Sequence, residues 1–391
     1  MSHLKRIFLN PPHQSGTEQK WLSKVLNSNY LAPVGPMLDE FEQTLGRSLG
    51  LVGQSFDKDL SCLPLVLNSG TSAIHLALRL LEVQAGDTVI CQSMTFAGSA
   101  FPINYLGAEP VFIDSSKGAF NMDPDLLEEA IIDCFNSGRK PKAIIVVHLY
   151  GFIYNVKRIH AIARSYDIPI IEDAAEALGS RFKGQSCGTF GDFGILSFNG
   201  NKIITTAGGG ALMLKDSKLR ERALYLAQQA KLPTDHYHHN EVGFNYRMSS
   251  LNAAVGCAQL EILNLRLEQK KQIYQRYQKV VNSFQGIELY TESDERQQPN
   301  HWLNILVLDS VICQLTTSEV VEAFEKANIE ARRLWKPMHL QPLYTKAKSY
   351  LNGVSDQWFQ RGVGLPSGTE MNDEDWSRIQ RVFETLFIRN K

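Results

Sequence analysis

Short, nearly unbroken apolar runs alternate with helical-period stretches from about residue 65 onward. "LPLVLNSG" is the first such run and ends in a turn. "TSAIHLALRLLEV" follows it with apolar residues at three- and four-residue spacing, the mark of a helix laid on a core. "DTVICQSMTF", "AEPVFID" and "KAIIVVHLYG" repeat the strand signal, and "DPDLLEEAIIDCF" and "IHAIARSYD" repeat the helical one. "IPIIEDAAEAL" reads as a strand running into a helix. Strands apolar on both faces have no side for water. The pattern therefore predicts an α/β fold with a large, mainly parallel sheet covered on both faces.

"GDFGILSFNGNKIITTAGGGALMLK" departs from that rhythm: two strand-like runs are joined through a loop carrying Lys202. Beyond "NYRMSSLNAAVGCAQLEIL" a long charged helix is predicted over roughly 249–284. The last hundred residues or so mix short strands ("HWLNILVLD") with helices ("TSEVVEAFEKAN", "EDWSRIQRVFETLF") and read as a smaller α+β domain. The division expected is 1–250, an N-terminal segment and large α/β domain, and 251–391, a linking helix and small C-terminal domain. No repeat or low-complexity tract interrupts the chain.

Composition narrows the function classes. The chain of 391 residues is 43% hydrophobic and 21% charged, with formal net charge -1. That balance gives no electrostatic case for nucleic acid or a membrane surface. No apolar run approaches the roughly 18 residues that span a bilayer. The start, "MSHLKRIFLNPPHQSG", lacks a signal-peptide core, so a cytoplasmic location is expected. Cys62, Cys91, Cys134, Cys187, Cys257 and Cys313 are scattered with no C-x-x-C pair, and read as free thiols. "DHYHHNEVG" has no carboxylate framework for a metal and reads as a solvated loop near the site entrance.

Candidate chemistry gathers around Lys202, the lone charge in "GNKIITTAGGG". A solvated surface lysine is one reading. Small residues crowd both sides, as if something approached the backbone. Asp173 ends a predicted strand where ligands of open α/β sheets collect; it caps a helix or faces a ligand cation. A loop lysine and a strand-end aspartate suit pyridoxal phosphate, which needs an amine for its aldehyde and an acid for its ring nitrogen. Ser69, Gly70, Thr71 and Ser72 in "NSGTSAIHLAL" open a helix, giving an ordinary cap or a phosphate cradle. Phe96 in "SMTFAGSA" offers core packing or a stacking face. Ser197 offers another hydroxyl for phosphate.

Together these stretches resemble the sugar-nucleotide aminotransferases of the DegT/StrS type. "NYLAPVGPMLDEFEQ", "PVFID", "VVHLYG", "GFNYRMSSLNAAVGCAQLE", "RRLWKPMH" and "LPSG" carry the resemblance along nearly the whole chain, and the run from Gly188 to Gly210 is its most specific part. The resemblance implies a fold-type-I, aspartate-aminotransferase-like enzyme dependent on pyridoxal 5'-phosphate. By matching positions it makes Lys202 the Schiff-base lysine and Asp173 the pyridinium partner. Phe96 becomes the stacking aromatic, Ser197 a phosphate ligand, and Gly70 and Thr71 the backbone cradle. Asn245 in "NYRM" matches an asparagine that reaches the partner subunit's cofactor phosphate, which implies a homodimer.

Glu176 stands where many members carry Gln or His, and Ala207 where many carry Glu. Glu176 is read as a ligand of the ring's 3′ oxygen region, a substrate guide or a helix cap. At i, i+3 from Asp173, one carboxylate is expected to raise the other's pKa. These choices resemble most the bacillosamine-pathway subgroup. The implied reaction moves an amino group from L-glutamate to C4 of a UDP-2-acetamido-2,6-dideoxy-4-keto-hexose. Arg332, Arg333, Lys336 and His339 are candidates for the substrate diphosphate, or simply a solvated basic strand end. His148 reads as a core or near-site histidine. "GRSLGLVGQSFDKDLSCLPL" reads as a surface loop without an assigned role. Alternatives are a different nucleotide keto-sugar, a family dehydratase (which replaces the lysine by histidine), and a silent binding module with the same fold.

Overall fold

The computed structural model describes residues 5–51, 64–309 and 311–388. Cys62 and most of the loop before Asn68 lie outside that range. Among the described residues, nine strands fill the first part of the chain: β1 (Leu65–Leu67), β2 (Thr88–Gln92), β3 (Glu109–Ile113), β4 (Ala143–Val147), β5 (Ile170–Asp173), β6 (Arg181–Phe182), β7 (Gln185–Ser186), β8 (Phe193–Ser197) and β9 (Gly210–Leu214). Six follow: β10 (Ile287–Leu289), β11 (Gln297–Gln298), β12 (Asn304–Leu308), β13 (Arg332–Arg333), β14 (Ser349–Tyr350) and β15 (Gly362–Leu365).

The large sheet has eight strands in the order β1-β9-β8-β5-β4-β2-β3-β14. Neighbours from β8 to β14 pair in parallel, while β9 runs antiparallel between β8 and β1. β2, β4 and β9 are buried at every position. This is why their sequences are apolar runs without alternation, and helices close both faces. One apolar cluster under the sheet joins Ile145, Ile171 and Ile195 to Leu76 and Leu78 of the helix Gly70–Leu80. The carboxyl ends of β5 and β8 therefore open beside the start of that helix.

The expectation of a helix after β5 fails. Residues 174–180 form successive turns instead. Asp173 Oδ1 accepts the Ala175 N–H (3.0 Å), and Glu176 turns its carboxylate onto the Tyr150 N–H (2.7 Å). The segment's polar side chains thus serve turns rather than a helical ladder.

The long charged helix is two: Ser250–Leu260 and Leu263–Val281. At the joint, Glu261 accepts bonds from Thr17 (2.6 Å) and Trp21 (3.0 Å), while Ile262 leaves helical geometry at φ -113°, ψ 11°. The second, smaller sheet is antiparallel, ordered β10-β12-β15-β13, and carries the helices Thr317–Lys326 and Asp373–Leu386. Two segments cross the division drawn at residue 250. Near the amino end, Ile7 bridges Ile329, and Arg6 pairs with Glu325 at 2.7 Å. In the other direction, β14 returns to the edge of the large sheet beside β3.

The five described cysteines form no disulfide; Cys91, Cys134, Cys187 and Cys257 are buried. No described helix is long and apolar enough to cross a membrane.

Candidate active site

The cleft is built where four chain turns meet at the strand ends. β1 leads into Ser69, whose hydroxyl accepts the Ser72 N–H (3.0 Å) and caps the helix Gly70–Leu80. Gly70 and Thr71, the first residues of that helix, line the cavity, and a helix start is a local positive end suited to an anion. β2 leads into Thr95 and Phe96 before the helix Ala97–Tyr105. β5 ends on Asp173, and the loop between β8 and β9 carries Lys202. The cavity holds about 390 Å³ and is lined by Gly70, Thr71, Phe96, Ser99, Asp173, Glu176, Ser197, Lys202, Gly208 and Trp335, among others.

The structure brings most of the predicted residues to one place. Asp173 is 5% exposed. Its Oδ2 accepts the Ser99 hydroxyl at 2.6 Å, and Ser99 is in turn within 2.7 Å of Thr95 Oγ1. The carboxylate is thus fixed in orientation, yet has lone pairs left for a donor in the cleft. Lys202 Nζ stands 3.5 Å from Glu176 Oε1 and 4.3 Å from the centre of the Trp302 ring. Glu176 bonds to Tyr150 N (2.7 Å) and Trp335 Nε1 (3.4 Å). Burial pushes its carboxyl above the usual range and Asp173 adds to the rise, against the pull of Lys202 and the Tyr150 N–H. The expected influence of Asp173 on Glu176 is present, but it is secondary to burial. Tyr150 itself is a buried aromatic at φ 57°, a conformation costly for a bulky residue. Its amide and its hydroxyl, which accepts the Trp335 N–H at 2.8 Å, are both held by the site.

The glycines divide by role. A Cβ on Gly70 would meet Leu196 O and Ser197 Cβ at 3.3 Å, so the cradle narrows with any side chain there. A Cβ on Gly210 would fall 2.4 Å from Gly70 N; that glycine serves backbone packing, not the cavity. Gly208 faces open space in the cleft. Asn252 ties the loop down through Thr206 O and Gly208 O. Ala207 is exposed at φ 66°, and nothing around it explains its departure from Glu.

Other predicted residues lie elsewhere. His339 is fastened between Ser93 (2.7 Å) and Asp356 (2.9 Å), so its polar atoms are committed within the fold. The Arg333 guanidinium stacks 4.0 Å over Phe359 and lines a different hollow with Leu308 and Arg361. Lys336 is exposed and outside the cleft lining. Arg332 pairs with Glu330 at 2.6 Å and borders a second cavity, of about 370 Å³, which shares Asn201 and Trp335 with the first. Asn245 is exposed, and its carbonyl accepts the Asn68 side chain (3.2 Å) at the cleft margin. His148 is buried against Glu172 (2.7 Å) beneath β5. His236, His238 and His239 bond to three different neighbours, Asp235, Asn240 and Gln229.

Ser99, Thr95, Trp302, Trp335 and Tyr150 were not singled out from the sequence. Ser99 had a signal: it lies three residues past Phe96 on the same helix start. Trp302 had none, since it reaches Lys202 from a different part of the chain.

This donor set fits pyridoxal phosphate: an amine and a fixed carboxylate lining one cavity, a helix start with a glycine that leaves room, and an exposed Phe96 ring 5.9 Å from Trp335. The comparisons agree. The profile of the DegT/DnrJ/EryC1/StrS aminotransferase family matches residues 12–386. "Putative pyridoxal phosphate-dependent aminotransferase EpsN" of Bacillus subtilis (strain 168) is 44% identical over 387 residues, covering 98% of this chain and 96% of that one. GDP-perosamine synthase of Escherichia coli O157:H7 is 31% identical over 371 residues, covering 95% and 96%. The PLP form of Spr1654 from Streptococcus pneumoniae superposes with a TM-score of 0.86 at 27% identity, over 98% of both chains. The chain belongs to the DegT/DnrJ/EryC1/StrS aminotransferase family and is a pyridoxal-phosphate-dependent aminotransferase of fold type I.

Proposed function

We propose that this enzyme transfers an amino group from L-glutamate to the C4 ketone of a UDP-2-acetamido-2,6-dideoxy-4-keto-hexose. The observation that carries the reaction class is Lys202 Nζ poised in a cleft with Asp173 locked by Ser99. The sugar reading rests on the family and on the sequence stretches that resemble the bacillosamine-pathway subgroup. The relative named as a GDP-perosamine synthase makes a GDP-linked keto-sugar the second reading.

Bound pyridoxal phosphate supplies an aldehyde and an electron-withdrawing ring, which together make a donor's Cα proton removable. Asp173 would hold the proton on the ring nitrogen through a charge-assisted hydrogen bond. Lys202 Nζ would hold the cofactor's aldehyde carbon in the resting enzyme and, once freed by an incoming donor amine, would carry the proton from the donor Cα. The same amine returns a proton to sugar C4 in the second half-reaction. Gly70, Thr71 and Ser197 would cradle the phosphate. Phe96 would cover one ring face, and Glu176 would share a hydrogen bond with the ring's 3′ oxygen. Of the four cationic candidates, Arg332 is best placed for a diphosphate leaving the cleft, because its hollow adjoins the first. Asn245, exposed at the margin, would serve the partner's site in a homodimer.

The test is to supply the cofactor-loaded enzyme with glutamate and a panel of UDP-, GDP- and dTDP-linked keto-sugars, and to identify products by NMR. Amination at C4 of the UDP-linked 2-acetamido sugar supports the reading. Turnover confined to GDP- or dTDP-linked sugars overturns the substrate while leaving the reaction class.

A further inference from the structure

The carbonyl just before Lys202 is held from behind. Asn201 O accepts the Asn10 side-chain amide at 2.5 Å and the Trp302 indole N–H at 2.7 Å. Those two donors come from chain segments nearly three hundred residues apart, and one group pins both. Lys270, on the helix Leu263–Val281 and 2% exposed, donates to Asn10 Oδ1 (2.6 Å), Trp302 O (3.0 Å) and Ser367 O (2.5 Å). Its ion-pair partners among the described residues are none; three neutral oxygens absorb its three donors. A buried amine without a counter-charge is costly to protonate, and burial lowers its pKa to about 7, so the three oxygens around it are what favour the charged, three-donor form.

We propose that Lys270 is a positioning residue for Lys202. Its ammonium fixes Asn10 and Trp302, and these two fix the peptide that sets where the Lys202 amine stands. Trp302 is doubly engaged, since the same side chain that grips Asn201 O also lies 4.3 Å beneath Lys202 Nζ. The arrangement gives the "LPSG" stretch a purpose as well: Ser367 turns its carbonyl to Lys270, while its hydroxyl accepts from Asn304 at the head of β12. Rigid support matters here because a base displaced by about 1 Å loses on the order of a hundredfold in rate.

The inference rests on Lys202 being the cofactor-bearing lysine. Two variants test it. Asn10→Asp keeps an oxygen for Lys270 but removes the N–H that reaches Asn201. Lys270→Met removes all three donors at similar length. Two readouts are needed: the rate at which cofactor-free protein attaches pyridoxal phosphate, followed by visible absorbance, and kcat with KM for the glutamate half-reaction. Each variant is expected to slow attachment and kcat by about tenfold or more with KM changed less than about threefold. The double variant should be no slower than the worse single one, because both cut one relay. If Lys270→Met fails to fold, Asn10→Asp carries the test alone. Attachment and kcat within about twofold of wild type in Asn10→Asp, or additive losses in the double variant, overturn the proposal. If wild type attaches the cofactor at a residue other than Lys202, the functional reading itself fails, which is a distinguishable result.

Discussion

Glu176 Oε1 stands 3.5 Å from Lys202 Nζ in a pocket that leaves the glutamate side chain 4% and the lysine 13% exposed. The acid is held there against its preference. Burial raises its pKa above the ordinary value of 4.5. A carboxyl whose folded pKa is raised contributes stability below its unfolded pKa and loses it as pH rises through the folded one. In cofactor-free protein, wild type should therefore lose ground to Glu176→Gln as pH is raised from about 4 to about 8. Urea unfolding of both proteins across that range checks this, and a difference that stays flat with pH contradicts it.

Glu172, one residue before Asp173, should behave in the opposite sense. It is fully buried, which by itself raises its pKa. His148 and the amides of Gly188, Phe190 and Gly191 bond to the carboxylate and outweigh burial, so the net shift is downward. Its stabilisation is present above the unfolded pKa and lost as pH falls through the folded one. Glu172→Gln should cost about 3 kcal/mol near neutral pH, and the gap should close in acid. Denaturant midpoints at the two pH values measure it.

Ser99 is expected to matter through Asp173. Removing its 2.6 Å bond in Ser99→Ala should weaken cofactor affinity by roughly tenfold, the worth of one hydrogen bond to a charged group. Asp173→Asn removes the charge itself and should lower the amino-donor half-reaction by at least about a hundredfold. Equilibrium dialysis with pyridoxal phosphate and single-turnover absorbance with glutamate separate the two effects. Equal small losses in both variants would show that Asp173 does not hold the ring nitrogen.

Much of this architecture was written in local pattern. β2, β4 and β9 announced themselves as apolar runs because both their faces are covered, and Asp173, Gly70 and Lys202 could be placed at strand ends and turns. The contacts that finish the site were not local. Trp302 reaches Lys202 across a hundred residues, and Lys270 meets Asn10 across 260. His339 and Arg333 stand outside the cleft lining, which the sequence did not reveal for the same reason. A basic cluster in the sequence does not reveal that one member is bonded to Ser93 and Asp356 and the other stacked on Phe359. The turn after β5 was missed because "DAAEAL" has good helix formers, while its two acids are claimed by neighbouring amides.

The central claim is that Lys202 carries the cofactor. Borohydride reduction of the loaded enzyme followed by peptide mass spectrometry tests it directly. The account predicts the reduced pyridoxyl group on Lys202, within "GNKIITTAGGG", and its loss together with visible absorbance and turnover in Lys202→Ala. A label on another lysine, or full activity in Lys202→Ala, would contradict it.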